Sequence, residues 1–194
     1  MIRRICVFCG SSMGVDPIHA EAARALGTAL AQAGIGLVFG GGSIGLMGVL
    51  ADAVLAAGGD VTGVIPQALV DRELAHHGCT TLHVTTSMHE RKALMADLSE
   101  GFIALPGGIG TLEETFEIWT WAQLGDHTKP VALLNVGGFY DPLTAFLDGV
   151  VAAGFLGPEH RALLVVASDI DELLARLAHH KPRAAPAWIA DDER

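Results

Sequence analysis

Seven short apolar runs alternate with stretches of helical period over almost the whole chain, and this alternation leaves few folds open. The runs cover residues 2–8, 35–39, 61–65, 81–84, 102–105, 131–134 and 163–166. Helical patterns fill 17–33, 46–57, 88–99, 111–124 and 142–153, and a last one, 170–179, follows the seventh run. Strands that are apolar throughout are buried on both faces, which is the habit of parallel sheets. The expectation is an α/β fold in one domain, residues 1–180: a parallel sheet of about seven strands, helices on both faces and right-handed crossovers. On the first helix, Ile18, Ala22, Ala25, Leu26, Ala29 and Ala33 are expected on the inner face. Residues 67–78 show no clear period. The Pro- and Ala-rich residues 181–194 read as a loose tail, with Trp188 and Ile189 able to dock.

Ligands of such sheets bind outside the carboxyl ends of the strands. Glycine-rich turns follow the first, second and fifth runs, at residues 10–12, 40–45 and 107–110. The last of these sits in the stretch PGGIGTLEE, from Pro106 to Glu114. Pro106 ends its strand because it cannot donate to a ladder. Gly107, Gly108 and Gly110 let the chain turn sharply and let a ligand approach the backbone. The free amides at the start of the following helix, together with its dipole, favour an anion such as phosphate. Glu113 and Glu114 follow at once, so an acid stands beside the phosphate seat. That pattern points to chemistry as well as binding.

Charge narrows the function further. The 194 residues carry a formal net charge of -10, from 22 acidic and 12 basic residues. A generic nucleic-acid surface needs clustered Lys and Arg and is not expected. No apolar run is long enough to span a bilayer, and the N-terminal run is too short for a signal peptide, so the expected compartment is the cytoplasm. Three cysteines fit a reducing environment. Cys6 and Cys9 form a CxxC, but residues three apart on a strand face opposite sides, so they read as core cysteines.

The turn at 40–45 spells GxGxxG between a strand and a helix, the dinucleotide fingerprint in its usual context. Asp60 lies about twenty residues on. It precedes its strand, however, whereas the ribose-binding acid belongs at the strand's carboxyl end. The preferred reading is that these glycines floor a pocket shared with the 107–110 turn. Ser11 and Ser43 read as turn hydroxyls. The pairs His76–His77 and His179–His180 read as surface residues, and no histidine pattern marks a metal site.

Glu114 has two readings. Thr111 and Glu114 form a T-x-x-E pattern, which as a capping box would occupy the carboxylate in satisfying a backbone amide. Alternatively, Glu114 is catalytic. Met88, Arg91, Met95 and Leu98 share one helical stripe, so Arg91 lies on an apolar face and needs an anionic partner. That partner is an internal carboxylate, Glu114 or a ligand phosphate. Lys92 lies about 100 degrees round the helix and offers a second cation at the rim.

CGSS at Cys9 to Ser12, GGGSIGLMG at Gly40 to Gly48, SMHERKALM at Ser87 to Met95 and PGGIGTLEE together resemble the Lonely Guy (LOG) family. These are cytokinin riboside 5'-monophosphate phosphoribohydrolases, a family that also carries the label lysine decarboxylase. The resemblance runs from about Ile5 to Val166. It implies a Rossmann-like fold and a homodimer with each site near the dimer interface. It implies hydrolysis of the N-glycosidic bond of N6-modified adenosine 5'-monophosphates, giving the free base and ribose 5-phosphate. Family substrate contacts map onto Glu73, Arg91, Lys92, Gly108, Ile109, Gly110, Thr111, Leu112, Glu113, Glu114 and Thr120, with Gly107 in the same turn. The essential pair maps onto Arg91 and Glu114. No metal and no pyridoxal phosphate are implied. Residues 69–79 depart most from the family pattern.

Breaking a ribosyl C–N bond develops positive charge on the sugar and negative charge on the departing base. A carboxylate near the ribose can stabilise the first and orient or deprotonate water. Glu114 is assigned that role. Arg91 holds the phosphate or stabilises the leaving base. A phosphate in the glycine turn would hold the sugar in register, so monophosphates are expected to be preferred over nucleosides. Two alternatives stand beside this one: a plain AMP nucleosidase, and a non-catalytic nucleotide or molybdenum-cofactor carrier of the same superfamily.

Overall fold

Cys6 pairs on one side with Val38 and on the other with Phe102, so the first strand lies at the centre of the sheet and its sequence neighbours lie on one side only. A computed structural model describes residues 2–72 and 74–181 and shows how this arises. Strands β1 (Arg4–Phe8), β2 (Gly36–Phe39), β3 (Val61–Pro66) and β4 (Thr81–Thr85) step outward in one direction. The chain then returns to place β5 (Phe102–Ala104) beside β1, and β6 (Val131–Leu134) and β7 (Leu164–Ala167) continue the other way. The order is β4-β3-β2-β1-β5-β6-β7, parallel at every pairing. The seven-stranded parallel α/β domain expected from the sequence is therefore present. The direction of winding reverses between β1 and β5, and the carboxyl ends of those two strands mark the place where such sheets bind ligands.

The reversal also sorts the helices. One core layer packs α1 (Ile18–Gln32), α2 (Gly45–Ala56) and the terminal α8 (Ile170–Ala178) on one face, through Leu26, Leu30, Leu50, Val54, Leu173 and Leu177. The other packs α4 (Met88–Asp97), α5 (Ile109–Leu124) and α6 (Asp141–Ala152) on the opposite face, through Met95, Ile118, Trp119 and Leu147. Cys6 belongs to the second layer and Cys9 to the first, as expected of core cysteines. Two short helices, α3 (Gln67–Val70) and α7 (Pro158–Arg161), complete the described residues, with a 3₁₀ turn at Val136–Gly138.

Two expectations need correction. The buried face of α1 is Ala23, Leu26, Gly27 and Leu30, while Ile18, Ala25 and Ala33 are exposed. Gly27 decides the rotation: a Cβ there would lie 2.7 Å from the Leu50 carbonyl oxygen and 2.9 Å from Ala53 Cβ, so α1 turns its slimmest point toward α2. His76 is buried and not on the surface; its Nε2 lies 3.0 Å from Asp52 Oδ1 and its ring meets Phe39 edge-on. His77 is exposed, as is His179. The tail with Trp188 and Ile189 lies outside the described residues.

Candidate active site

The turns after β1 and β5 touch. Gly10 N–H donates to the Pro106 carbonyl at 3.1 Å. Tyr140, fully buried, donates its hydroxyl to the Leu105 carbonyl at 2.6 Å and so ties the end of β5 from the far side. This framework presents the start of α5. Gly108 is the N-cap, and Leu112 N–H returns to its carbonyl at 3.1 Å. The amides of Ile109, Gly110 and Thr111 precede the first intrahelical donor and have no partner within the helix. Gly108, Ile109 and Gly110 are exposed. They form a helix N-terminus of the kind that binds phosphate.

The expected capping box is not what forms. Thr111 is the third helical residue and packs its hydroxyl where a side chain on Gly107 would stand. Glu114, one turn later, pairs with Arg91 instead. A real cap of this type opens α4 instead: Ser87 Oγ accepts from Glu90 N–H at 3.1 Å, and Glu90 accepts from both Thr86 N–H and its hydroxyl at 2.7 Å.

Arg91, on α4, reaches across the carboxyl edge of the sheet. Its Nε donates to the Val64 carbonyl at 3.1 Å and Nη2 to the Gly40 carbonyl at 3.2 Å. Nη1 meets Glu114 Oε1 at 3.2 Å. Arg91 is 7% exposed, so this charge is nearly dry and depends on these partners. Two backbone carbonyls fix the guanidinium plane, and the fixed plane aims its remaining nitrogen at one carboxylate. The internal carboxylate and Glu114 thus prove to be the same group.

Lys92 is also buried. Its Nζ lies 2.6 Å from Glu113 Oε1 and 2.9 Å from Glu117 Oε2. Two cations and three carboxylates therefore line the first turns of α5. Burial opposes the charge on Lys92, but its hydrogen bond to Glu113 and its ion pair with Glu117 outweigh it and raise the amine above its ordinary range. Burial also raises the Glu114 carboxyl above the ordinary glutamate range; Arg91 counteracts this, and Glu113 adds to it by repulsion. A carboxylate in that condition binds a proton more readily than a solvated one, which suits a base that must take a proton from water.

The residues singled out in the sequence divide as follows. Arg91, Lys92, Glu113 and Glu114 come together, beside Gly107, Gly108, Ile109, Gly110 and Thr111. Leu112 packs against the core layer of α4, α5 and α6. Thr120 is exposed about 9 Å further along α5 and donates its hydroxyl to the Phe116 carbonyl. Glu73 lies outside the described residues. The sequence reading missed Glu117, although it is one turn from Glu113 on the same face of α5. It also missed the Val64 and Gly40 carbonyls, which no side-chain pattern could announce. Of the GxGxxG glycines, Gly40 accommodates Arg91.

A cavity of about 300 Å³ opens on the α1 side of the same turns, lined by Gly10, Ser12, Met13, His19, Leu46, Gly108 and Phe139. Among the described residues, no group of three His, Cys, Asp or Glu could hold a metal ion, and no helix is long and apolar enough to cross a membrane.

Comparisons with known proteins bear on the family and the fold. Residues 47–177 match the family model described as "possible lysine decarboxylase". The cytokinin riboside 5'-monophosphate phosphoribohydrolase LOG of Oryza sativa subsp. japonica is 48% identical over 191 residues, covering 98% of this chain and 79% of that protein. The corresponding enzyme LOG1 of Arabidopsis thaliana is 50% identical over 181 residues, covering 93% and 85%. Among solved structures, the molybdenum cofactor binding protein of Rippkaea orientalis superposes with a TM-score of 0.70 at 22% identity, over 92% of this chain and 96% of that one. The molybdenum cofactor carrier protein of Chlamydomonas reinhardtii gives 0.68 at 23%, over 92% and 97%. Those two share the fold. The relatives at about half identity share far more, and with them this chain belongs to the LOG family, whose members are named cytokinin riboside 5'-monophosphate phosphoribohydrolases.

Proposed function

We propose that this protein hydrolyses the N-glycosidic bond of N6-modified adenosine 5'-monophosphates, with AMP as a second substrate, releasing the free base and ribose 5-phosphate. The observation that carries the proposal is the buried Arg91–Glu114 pair standing directly beside the open amides of α5. The 5'-phosphate sits on the amides of Ile109, Gly110 and Thr111. Glu114 faces the sugar, stabilises the positive charge that grows at C1', and receives a proton from the attacking water. The water oxygen bonds to C1', the C1'–N bond breaks, and its electron pair leaves with the base, which is then protonated. Arg91 holds Glu114 in place and supplies positive charge near the phosphate or the departing base. Glu73, Lys92, Leu112, Glu113 and Thr120 complete the proposed substrate-contacting set.

The family description names a possible lysine decarboxylase; pyridoxal phosphate chemistry of that kind does not fit the residues of this site. Such chemistry needs a lysine reached as a free amine. Lys92 is held as an ammonium by two carboxylates, and Lys129 donates to the Ala96 carbonyl at 2.8 Å at the end of α4. Lys181 stands at the end of the described chain.

A homodimer in the cytoplasm completes the reading. Val84 and Met88, exposed apolar residues near the start of the helix that carries Arg91, belong to a face suited to a second copy. Loss of specific activity on dilution, in step with dissociation in sedimentation, tests that part.

The test of the reaction is product analysis. Purified protein incubated with isopentenyladenosine 5'-monophosphate should release isopentenyladenine and ribose 5-phosphate, and the riboside without phosphate should be turned over far more slowly. Recovery of both compounds unchanged would mean a carrier, and equal turnover of the two would remove the phosphate seat.

A further inference from the structure

The chain after α3 returns to cover the glycine turn that holds Arg91. Ala75 forms an isolated antiparallel bridge with Gly42. Around it, Ser43 N–H donates to the Leu74 carbonyl at 2.8 Å, its hydroxyl to the same oxygen at 3.2 Å, and His76 N–H to the Gly41 carbonyl at 2.8 Å. Residues 74–76 are thus a strap laid across residues 41–43. Gly40, next in the chain, is the residue whose carbonyl orients the guanidinium. One side chain anchors the strap to a regular element. His76 Nε2 lies 3.0 Å from Asp52 Oδ1 on α2, and because a carboxylate only accepts, Nε2 carries the hydrogen. The His76 ring is 9% exposed, while Asp52 is 74% exposed.

A surface carboxylate reaching inward to a buried imidazole is an odd way to add stability, since an exposed partner contributes little. It is a good way to set a distance. We infer that Asp52 and His76 are positioning residues for the hydrolysis: they fix the strap, the strap fixes the turn, and the turn fixes Arg91 against Glu114. Neither residue touches the substrate. The inference rests on the proposed reaction for its kinetic consequences and on hydrogen bonds alone for its structural ones.

The test uses Asp52→Ala, Asp52→Asn, His76→Gln and His76→Phe in the full chain. Asp52 is exposed, so its variants should fold and melt like the parent. Asp52→Ala should lower kcat about three- to tenfold with KM within about twofold, the scale of one lost hydrogen bond acting on the arrangement of charged groups. Asp52→Asn keeps an acceptor for Nε2–H and should restore most of kcat; His76→Gln keeps a donor toward Asp52 and should retain more than His76→Phe. Amide exchange of Ser43 and His76, followed by NMR, should accelerate in Asp52→Ala and recover in Asp52→Asn. Parental kcat and exchange in Asp52→Ala would overturn the inference, as would an Asp52→Asn no better than Asp52→Ala. If the parent protein releases no base from any monophosphate, the reaction is wrong, and the exchange measurement still decides whether the anchor exists.

Discussion

Gly40 and Arg91 claim the same volume: a Cβ on Gly40 would overlap Arg91 Nη2 and lie 3.1 Å from Cζ. The obstacle would be the rigid end of a guanidinium already held by the Val64 and Gly40 carbonyls and by Glu114. Gly40→Ala should therefore displace the arginine. A displacement on the order of 1 Å at a catalytic group costs about 10²-fold in rate, and overpacking a buried site costs roughly 1–3 kcal/mol. Both effects are expected, read as kcat and as the urea midpoint. Gly149→Ala is the control: it lies inside α6, a Cβ there would have no neighbour within 4 Å, and it should be neutral or slightly stabilising.

Glu114→Gln separates chemistry from structure. Glu114 does not cap α5, so the roughly 1 kcal/mol expected from losing a cap should not appear. The amide still offers an oxygen to Arg91 Nη1 and keeps the shape of the site. Turnover should fall by about 10²–10⁴, the range of a lost acid–base group, while binding of a monophosphate measured by calorimetry persists. A variant that has lost binding together with turnover would assign Glu114 to the phosphate rather than to the sugar.

How far the sequence reaches into this site depends on what kind of contact is involved. Arg91 was legible because it interrupts an apolar stripe, Met88–Met95–Leu98, and a charge in such a place needs a partner. Seven parallel strands were legible from seven apolar runs alternating with helical patterns, whereas the return of the chain that sets β5 beside β1 carries no local signal. Glu114 was only half legible, because T-x-x-E and S-x-x-E look alike on paper. Gly108 can take the N-cap backbone ahead of Thr111, and that alone moves the helix start two residues earlier than the 111–124 pattern suggests. The alanines of α1 carry too little hydrophobic contrast to reveal which face is buried; a single Gly27 facing α2 decides it. His76 was misread for the opposite reason. Its burial is set by Phe39 and Asp52, which are distant in sequence and share no pattern with it.

Acid should affect activity and stability in opposite directions. The Glu114 carboxyl is raised above its ordinary range, chiefly by burial. If the ionised form is the base, kcat/KM should fall with decreasing pH already above the range where a solvated glutamate titrates, near 4.3. For stability the sign reverses. The folded state binds this proton more tightly than the unfolded chain, so the Glu114 contribution becomes less favourable as pH rises from the ordinary glutamate range to the raised folded value. Glu114→Gln lacks that term. Its stability relative to the parent should increase between acidic and neutral pH, measured as paired urea midpoints. A relative stability of the variant that falls or stays constant over that window would mean that Arg91 overcomes the cost of burial.

Tyr140→Phe tests the framework beneath the phosphate seat. Tyr140 is the only tyrosine in the chain, and its hydroxyl donates to Leu105, the residue before Pro106. Removing one oxygen leaves the Leu105 carbonyl buried without that donor, at a cost of about 1–3 kcal/mol. The ring keeps its packing against Phe139, so the protein should still fold. What should change is the precision of the turn that offers its amides to the phosphate. KM for the monophosphate should rise several-fold, and the preference for monophosphate over nucleoside should shrink, because the nucleoside never uses that seat. An unchanged preference with lowered stability would confine Tyr140 to holding β5 and β6 together, and would place the phosphate elsewhere than on the start of α5.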